Sequence, residues 1–170
     1  MKVRKIAGLM LMLLSFLIIL VSAFVYDQAS QTTIQTITDV GSLSISNAAL
    51  GNIEEGETIV YTPTNTSAVN NILTVNTGKP HVYLHIDTDL DNQSGNYTTY
   101  EIKVIVDTAP GSLSGTVATL TIADPDTTTG IDLDTSGTYI FDFQVTTTAQ
   151  LVSSDRPTAV HIAVSAESSA

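Results

Sequence analysis

Apolar and polar side chains alternate with a period of two through most of the chain after residue 40. Residues 100–106 place aliphatic side chains on one face and Glu101 and Lys103 on the other, and residues 139–145 repeat the pattern with aromatic side chains. This is the period of a half-buried β-strand, and no window shows the 3.6-residue period of an amphipathic helix. The alternation therefore predicts an all-β fold.

Further strands are predicted by the same alternation, and turn signals such as Thr135-Ser136-Gly137 separate them. The predicted strands cover residues 42–46, 58–62, 68–76, 82–86, 117–122 and 159–164. Seven or eight short strands with this spacing are typical of two antiparallel sheets packed face to face. We therefore expect one two-sheet antiparallel sandwich domain over residues 39–170.

The composition fits a β protein that works outside a cell. Of 170 residues, 26 are Thr and 16 are Ser, and none is Cys, which excludes disulfides and thiolate metal sites. The net charge is −11, but Lys2, Arg4 and Lys5 lie in the first five positions. Without that end, three basic residues face seventeen acidic ones, a net charge of −14. Such a surface repels phosphate backbones and excludes nucleic-acid binding.

The first 25 residues combine a basic start, an apolar run from Leu9 to Val25, and small residues at Val21-Ser22-Ala23. This pattern predicts a signal peptide, residues 1–23, cleaved after Ala23. Two alternatives remain, a retained membrane anchor and a type IV pilin-like helix that is cut near Gly8 and kept as the filament core. Each alternative places the rest of the chain outside the cytoplasm, with membrane contact only through this segment.

Residues 24–38 form a distinct polar segment that holds neither Gly nor Pro. One interpretation is a linker or a first edge strand. The other is a donor strand that leaves its own domain and completes the sheet of a neighbour, because the segment is rich in β-forming residues and lies at a free end after cleavage. Ile34 and Ile37 are the candidates to fill such a groove, with Phe24, Val25 and Tyr26 as further candidates.

The chain carries no recognisable catalytic motif. It has neither a Gly-x-Ser-x-Gly elbow nor a His-Glu-x-x-His string, and its only histidines are His81, His85 and His161. His81 and His85 are four positions apart, so they share one strand face and are either a weak metal site or ordinary surface residues. We therefore expect a protein that is not an enzyme and needs no cofactor, Ca²⁺ excepted.

Two acidic loops are candidates for binding Ca²⁺, which takes six to eight oxygen ligands. The first loop, residues 87–92, begins like a calcium loop. It has Asn92 where Gly is usual, and Thr98 stands where a bidentate Glu belongs. The second loop is Asp124-Pro125-Asp126, and Asp132-Leu133-Asp134 follows it along the chain. The alternative is solvated Asp residues that favour turns. The candidate ligands are Asp87, Asp89, Asp91, Asp124 and Asp126.

Three Asn-x-Ser/Thr sequons occur in predicted turn regions, at Asn65, Asn92 and Asn96. In an exported protein each is a candidate site of N-glycosylation.

The sequences VGSLSI (40–45) and LGNIEEGETIVY (50–61), which follow the signal-like segment, resemble the first strands of the TasA/camelysin family of secreted fibre proteins. They are most similar to the archaeal bundling pilins of that type. Glu55 stands where the family usually has Pro, and Glu57 where it has Asp. The likeness covers about forty residues, 22–61.

This resemblance implies a jelly-roll-like sandwich that forms a head-to-tail homopolymer by donor-strand exchange and bundles laterally in a biofilm matrix. The metalloprotease label of camelysin does not transfer, because the chain lacks a catalytic metal motif. We therefore expect an extracellular filament subunit. The first alternative is a secreted or membrane-anchored β-sandwich that binds Ca²⁺ or glycan, and the second is the type IV pilin-like subunit.

Overall fold

The structure, a computed structural model, describes residues 41–151 and 157–168, which belong to the unit Asp39–Ala170. The described residues form nine strands and two short 3₁₀ turns, Ser67–Val69 and Leu90–Gln93. The strands are β1 (Gly41–Ile45), β2 (Thr58–Tyr61), β3 (Leu73–Thr77), β4 (Val82–Thr88), β5 (Tyr97–Thr108), β6 (Gly115–Thr121), β7 (Ile131–Leu133), β8 (Gly137–Ala149) and β9 (Ile162–Ser168).

All strand pairs in this part of the chain are antiparallel, and they form two sheets, which confirms the predicted all-β, two-sheet architecture. The larger sheet has six strands in the order β1-β3-β8-β5-β6, with β2 also paired to β8. The smaller sheet has three, in the order β7-β4-β9.

Strand β8 is the centre of the larger sheet. Along one edge it pairs with β5. Along the other edge its first half pairs with β3, where Phe141 lies opposite Leu73, and its second half pairs with β2, where Val145 lies opposite Tyr61. One strand of 13 residues therefore joins three partners.

The core follows from the period of two. Alternate side chains of β8, namely Tyr139, Phe141, Phe143 and Val145, are between 0% and 4% exposed. From the smaller sheet, Val82, Leu84 and Ile86 of β4 complete the same hydrophobic cluster. Each strand thus contributes one apolar face, as the alternation predicts.

Three details of the predicted strands were wrong. The strand predicted at 68–76 begins only at Leu73, because Ser67–Val69 forms a 3₁₀ turn capped by the Thr66 side chain and Asn71 adopts a φ of 50°. The strand predicted at 159–164 is instead Ile162–Ser168, because the backbone just before it hydrogen-bonds the Asp89 loop. Strand β7, Ile131–Leu133, was not predicted, because it has only three residues and lies in an acidic stretch.

Across residues 41–151 and 157–168, no helix has the length and apolar character that crossing a membrane requires.

Candidate functional site

The two sheets differ in how well their inner faces are covered. In the smaller sheet, the inward side chains of β4 are at most 1% exposed. The inward side chains of its neighbour β9, Ile162, Val164 and Ala166, are only partly buried. Opposite them, Leu43 and Ile45 of β1 are 41% and 43% exposed. An apolar strip therefore remains open on one side of the sandwich.

We call this open strip, from Leu43 and Ile45 of β1 to Ile162, Val164 and Ala166 of β9, the groove. Its main cavity has a volume of about 480 Å³. The floor of that cavity belongs to the larger sheet and consists of Tyr61, Tyr100, Ile102, Phe143 and Val145. A smaller cavity of about 70 Å³ continues the groove between Leu43 and Ala166. The groove is thus an opening into the hydrophobic core rather than a surface depression.

The groove follows a free strand edge. Among the described strands, β9 pairs only with β4, so the backbone groups along its other edge have no strand partner there. An unpaired edge is a template for another strand. With seven residues, β9 offers an edge of about 23 Å at the usual rise per residue. Apolar side chains and unpaired backbone groups are the two things that an added β-strand needs.

Beyond the start of β9 the surroundings become polar. A second space of about 700 Å³ adjoins the main cavity and is lined by Asn52, Glu54, Glu55, Asn96 and Gln150, among others. Ile53, Tyr97 and Thr158 line both spaces. The groove therefore has an apolar part along β9 and a polar continuation at one end.

An aromatic cluster marks the transition between these parts. The rings of Tyr97 and Tyr100 meet edge to face, with centroids 4.9 Å apart, and the Tyr97 hydroxyl lies 2.7 Å from Thr158 Oγ1. Burial raises the pKa of Tyr100, and the charges of the ionised Tyr97, Tyr61 and Asp89 add smaller increases. The resulting pKa is about 12. The Tyr100 phenol therefore stays neutral at ordinary pH and remains a hydrogen-bond donor within the groove.

The two acidic loops lie side by side. The Thr88 amide donates to Asp126 Oδ1 at 2.9 Å, and the Thr88 hydroxyl donates to the Pro125 carbonyl at 2.8 Å. Asp89 Oδ1 accepts from the His161 amide at 2.7 Å. These carboxylates hold loop backbone, and within the described ranges no three His, Asp or Glu side chains are grouped as a metal ion would require. Calcium binding at Asp87, Asp89, Asp91, Asp124 or Asp126 stays a prediction.

His85 lies in β4, but His81 precedes that strand and has a φ of 56°, so the expectation that both histidines share one strand face was wrong. Each has its own carboxylate. His81 Nδ1 lies 3.2 Å from Asp132 on β7, and His85 Nε2 lies 3.2 Å from Glu167 on β9. The His85 pair thus connects β4 to β9, and the His81 pair connects the residue before β4 to β7.

The predicted glycosylation sites fall in three places. Asn65 lies in the turn after β2, Asn92 in the 3₁₀ turn Leu90–Gln93, and Asn96 directly before β5. The predicted signal segment 1–23 with its cleavage site at Ala23, and the donor-strand candidates Phe24, Val25, Tyr26, Ile34 and Ile37, lie outside the described residues.

Sequence reasoning did not locate the groove. The alternation of Val160, Ile162 and Val164 predicts a strand with one apolar face, but the same pattern occurs in β8, whose apolar face is covered. The signal that distinguishes them is the small number of strands in the sheet of β9, which the sequence does not display.

Searches against protein-family models and against curated proteins find no match to this chain.

Proposed function

We propose that this protein is the structural subunit of an extracellular filament, in which residues 24–38 of one subunit occupy the groove of the next. The observation that supports the proposal is the open apolar strip beside the edge of β9 that has no partner among the described strands. The resemblance of residues 40–61 to secreted fibre proteins points the same way. No enzymatic activity is proposed.

An inserted strand would stabilise the fold in two ways. It would cover Leu43 and Ile45, whose burial contributes about 25 cal/mol for each Å² of apolar surface removed from water. It would also supply partners for the backbone groups of β9 and remove an edge that invites aggregation. Because donor and acceptor are different surfaces of the subunit, the contact is head-to-tail, and repetition without closure produces a filament.

The length of the segment fits the groove. Fifteen residues, 24–38, extend over about 50 Å in a strand, more than twice the length of β9. The surplus leaves room for a connection between subunits.

The period of a strand also limits which side chains of residues 24–38 can enter the groove together. Ile34 and Ile37 are three positions apart, so in a regular strand they point to opposite faces and only one of them can face the floor. Ile37 shares its face with Val25, whereas Ile34 shares its face with Phe24 and Tyr26. The expectation that both isoleucines fill the groove therefore becomes a choice between two registers.

The proposal is tested with the exported protein. We expect electron microscopy to show filaments, and we expect deletion of residues 24–38 to leave monomers. A synthetic peptide of residues 24–38 should bind these monomers and raise their melting temperature, because a ligand that binds only the native state stabilises it. Filaments that persist after the deletion would refute the proposal.

Two matched peptides determine the register. One carries Ile34→Asp and the other Ile37→Asp, and we expect only one of them to lose binding. Equal binding by both would show that the isoleucines do not anchor the segment.

Mass spectrometry of the N-terminal peptide of the natural protein distinguishes the cleaved subunit, the pilin-like subunit and the anchored module. A start at Phe24 supports cleavage after Ala23, a start near Leu9 supports the pilin-like subunit, and an intact Met1 supports an anchored module. A chain that starts at Phe24 but stays monomeric at all concentrations would favour the secreted binding module.

A further inference from the structure

The three sequons have different surroundings, and these surroundings distinguish them as sites of modification. An Asn-x-Ser/Thr sequon is used only where its carboxamide and its hydroxyl can both be reached, so exposed loops are preferred. Asn65, Asn92 and Asn96 all lie in turns or directly beside a strand. What differs is whether the two side chains of the sequon already have hydrogen-bond partners.

Asn65 uses both ends of its carboxamide. Its Oδ1 accepts from the Thr62 amide at 2.8 Å, and its Nδ2 donates to the Val60 carbonyl at 2.7 Å. These two bonds close the turn that follows β2. An amide that turns outward to react gives up both of these hydrogen bonds, and the groups that it leaves behind lose their partners. Asn65 is therefore a structural residue of this turn.

The Asn96 sequon has both of its side chains engaged. Asn96 Nδ2 donates to Gln93 Oε1 at 3.1 Å and is partly buried. The hydroxyl two positions later, that of Thr98, donates to the Thr148 carbonyl at 3.3 Å. Because Tyr97 begins β5, this sequon is also held in an extended strand. It presents neither group freely.

The Asn92 sequon is the opposite case. Asn92 and Ser94 are both exposed, and neither side chain has a hydrogen-bond partner among the residues that the structure describes. The backbone is nevertheless fixed, because the Asn92 amide donates to the Asp91 side chain at 2.9 Å and to the Asp89 carbonyl at 3.1 Å.

The same turn is anchored from beneath. Leu90 is 0% exposed, and the buried Gln93 donates from Nε2 to the Ala159 carbonyl at 3.0 Å. Inward-pointing residues therefore hold the turn Leu90–Gln93 against the core, while Asn92 and Ser94 point outward from it. The geometry offers a rigid display of one free carboxamide beside one free hydroxyl.

From this contrast we infer that Asn92 is the N-glycosylated residue of the folded domain and that Asn65 and Asn96 remain bare. The inference depends on the export that the proposed function includes. The co-substrate is an oligosaccharide carried on a lipid diphosphate. Asn92 Nδ2 forms a bond to the anomeric carbon, the bond from that carbon to the diphosphate oxygen breaks, the lipid diphosphate leaves with the electron pair, and Nδ2 loses one proton to a base.

The test is a mass analysis of the protein recovered from outside the cells of its natural source. Digestion before Asp residues yields one peptide with Asn65, residues 39–86, and one with both other sequons, residues 91–106. Electron-transfer fragmentation of the second peptide separates Asn92 from Asn96. We expect the sugar on Asn92 alone. A bare Asn92, or comparable occupancy at Asn65 or Asn96, overturns the inference.

Matched variants in the same source strengthen the test. Asn92→Gln and Ser94→Ala should each remove the whole glycan mass from the intact protein, because they delete the two groups of one sequon. Asn96→Gln and Thr98→Ala should leave that mass unchanged. A glycan mass that survives Asn92→Gln overturns the inference.

The N-terminal mass of the same sample keeps this inference separate from the filament proposal. A protein cleaved after Ala23 and found outside the cell with a bare Asn92 contradicts glycosylation and leaves the filament proposal intact. A protein found only inside cells, with an intact Met1, contradicts both.

Discussion

Strands β8 and β9 carry the same alternation of apolar and polar side chains, but their apolar faces are buried to different extents. The inward side chains of β8 from Tyr139 to Val145 are at most 4% exposed, whereas Ile162, Val164 and Ala166 of β9 are only partly buried. Among the described strands, β8 has partners on both edges and β9 on one, which accounts for the difference. Alternation thus specifies which way a side chain points, and the number of neighbouring strands specifies whether it is covered.

The largest effect is expected where a side chain is removed from the covered face of β8. Phe141 is 0% exposed, and we expect Phe141→Ala to lower the free energy of unfolding by about 3–5 kcal/mol, because it leaves a cavity in a packed core. Urea denaturation followed by circular dichroism measures the change. Leu151, 81% exposed, is the control, and Leu151→Ala should stay within about 0.5 kcal/mol. Equal effects would contradict the assigned core.

The next effect concerns the β1 side of the groove. Gly41 has a φ of 146°, and a Cβ built there would lie 1.6 Å from the Asn76 carbonyl oxygen. We expect Gly41→Ala to cost about 3 kcal/mol, the upper range for strain in a glycine-only conformation, and to detach β1 from β3. Hydrogen exchange of the β1 and β3 amides reports the detachment. Gly95→Ala, with open space around its Cβ, is the control. Unchanged protection after Gly41→Ala would disprove the close approach.

Two valines compare the regions directly. Val104 of β5 is 0% exposed, and Val104→Ala should cost about 2 kcal/mol in the isolated subunit. Val164 of β9 is only partly buried, so Val164→Ala should cost about 1 kcal/mol or less. Both are measured by denaturant unfolding of monomers that lack residues 24–38. Adding the 24–38 peptide should bring the two costs together. Equal costs without the peptide would mean that the groove is already closed.

The smallest predicted effect concerns the ionisation of the Tyr100 phenol. Since the pKa of Tyr100 is raised from 10.0 to about 12, folding favours the neutral phenol. The stability that this shift contributes is present below pH 10 and is lost as the pH rises towards 12. Ultraviolet absorbance should show a phenol ionising near pH 12, and Tyr100→Phe should remove that contribution. Filling the groove buries Tyr100 further and should move the step upward. If the peptide binds and the ionisation stays at the same pH, Tyr100 does not contact the bound segment.

Most of the fold could be predicted from the sequence, because a period of two is local information. The exceptions have local causes. Strand β7 was missed because Ile131–Leu133 has only three residues and lies in an acidic stretch that is typical of a turn. The start of β9 was misplaced because Ala159 and His161 use their backbone groups to hold the loop at Asp89 and Gln93.

The candidate site was less predictable, since it depends on contacts between distant parts of the chain. Leu43 and Ala166 line the same cavity although 123 positions separate them. The sequons show the same limit. The motif marks Asn65 and Asn92 alike, and only the turn geometry reveals that the Asn65 carboxamide is already engaged.

The position of β8 in the chain has a consequence for how the subunit forms. Its partners β2, β3 and β5 all precede it, and the hydroxyls of Thr58 and Thr148, which lie 2.9 Å apart, belong to residues 90 positions apart. The larger sheet therefore cannot assemble until the chain is complete through residue 149. Topologies dominated by such distant pairings fold over milliseconds to seconds. A chain that acquires its organising strand this late stays unfolded through most of its synthesis, as the export that we propose would require.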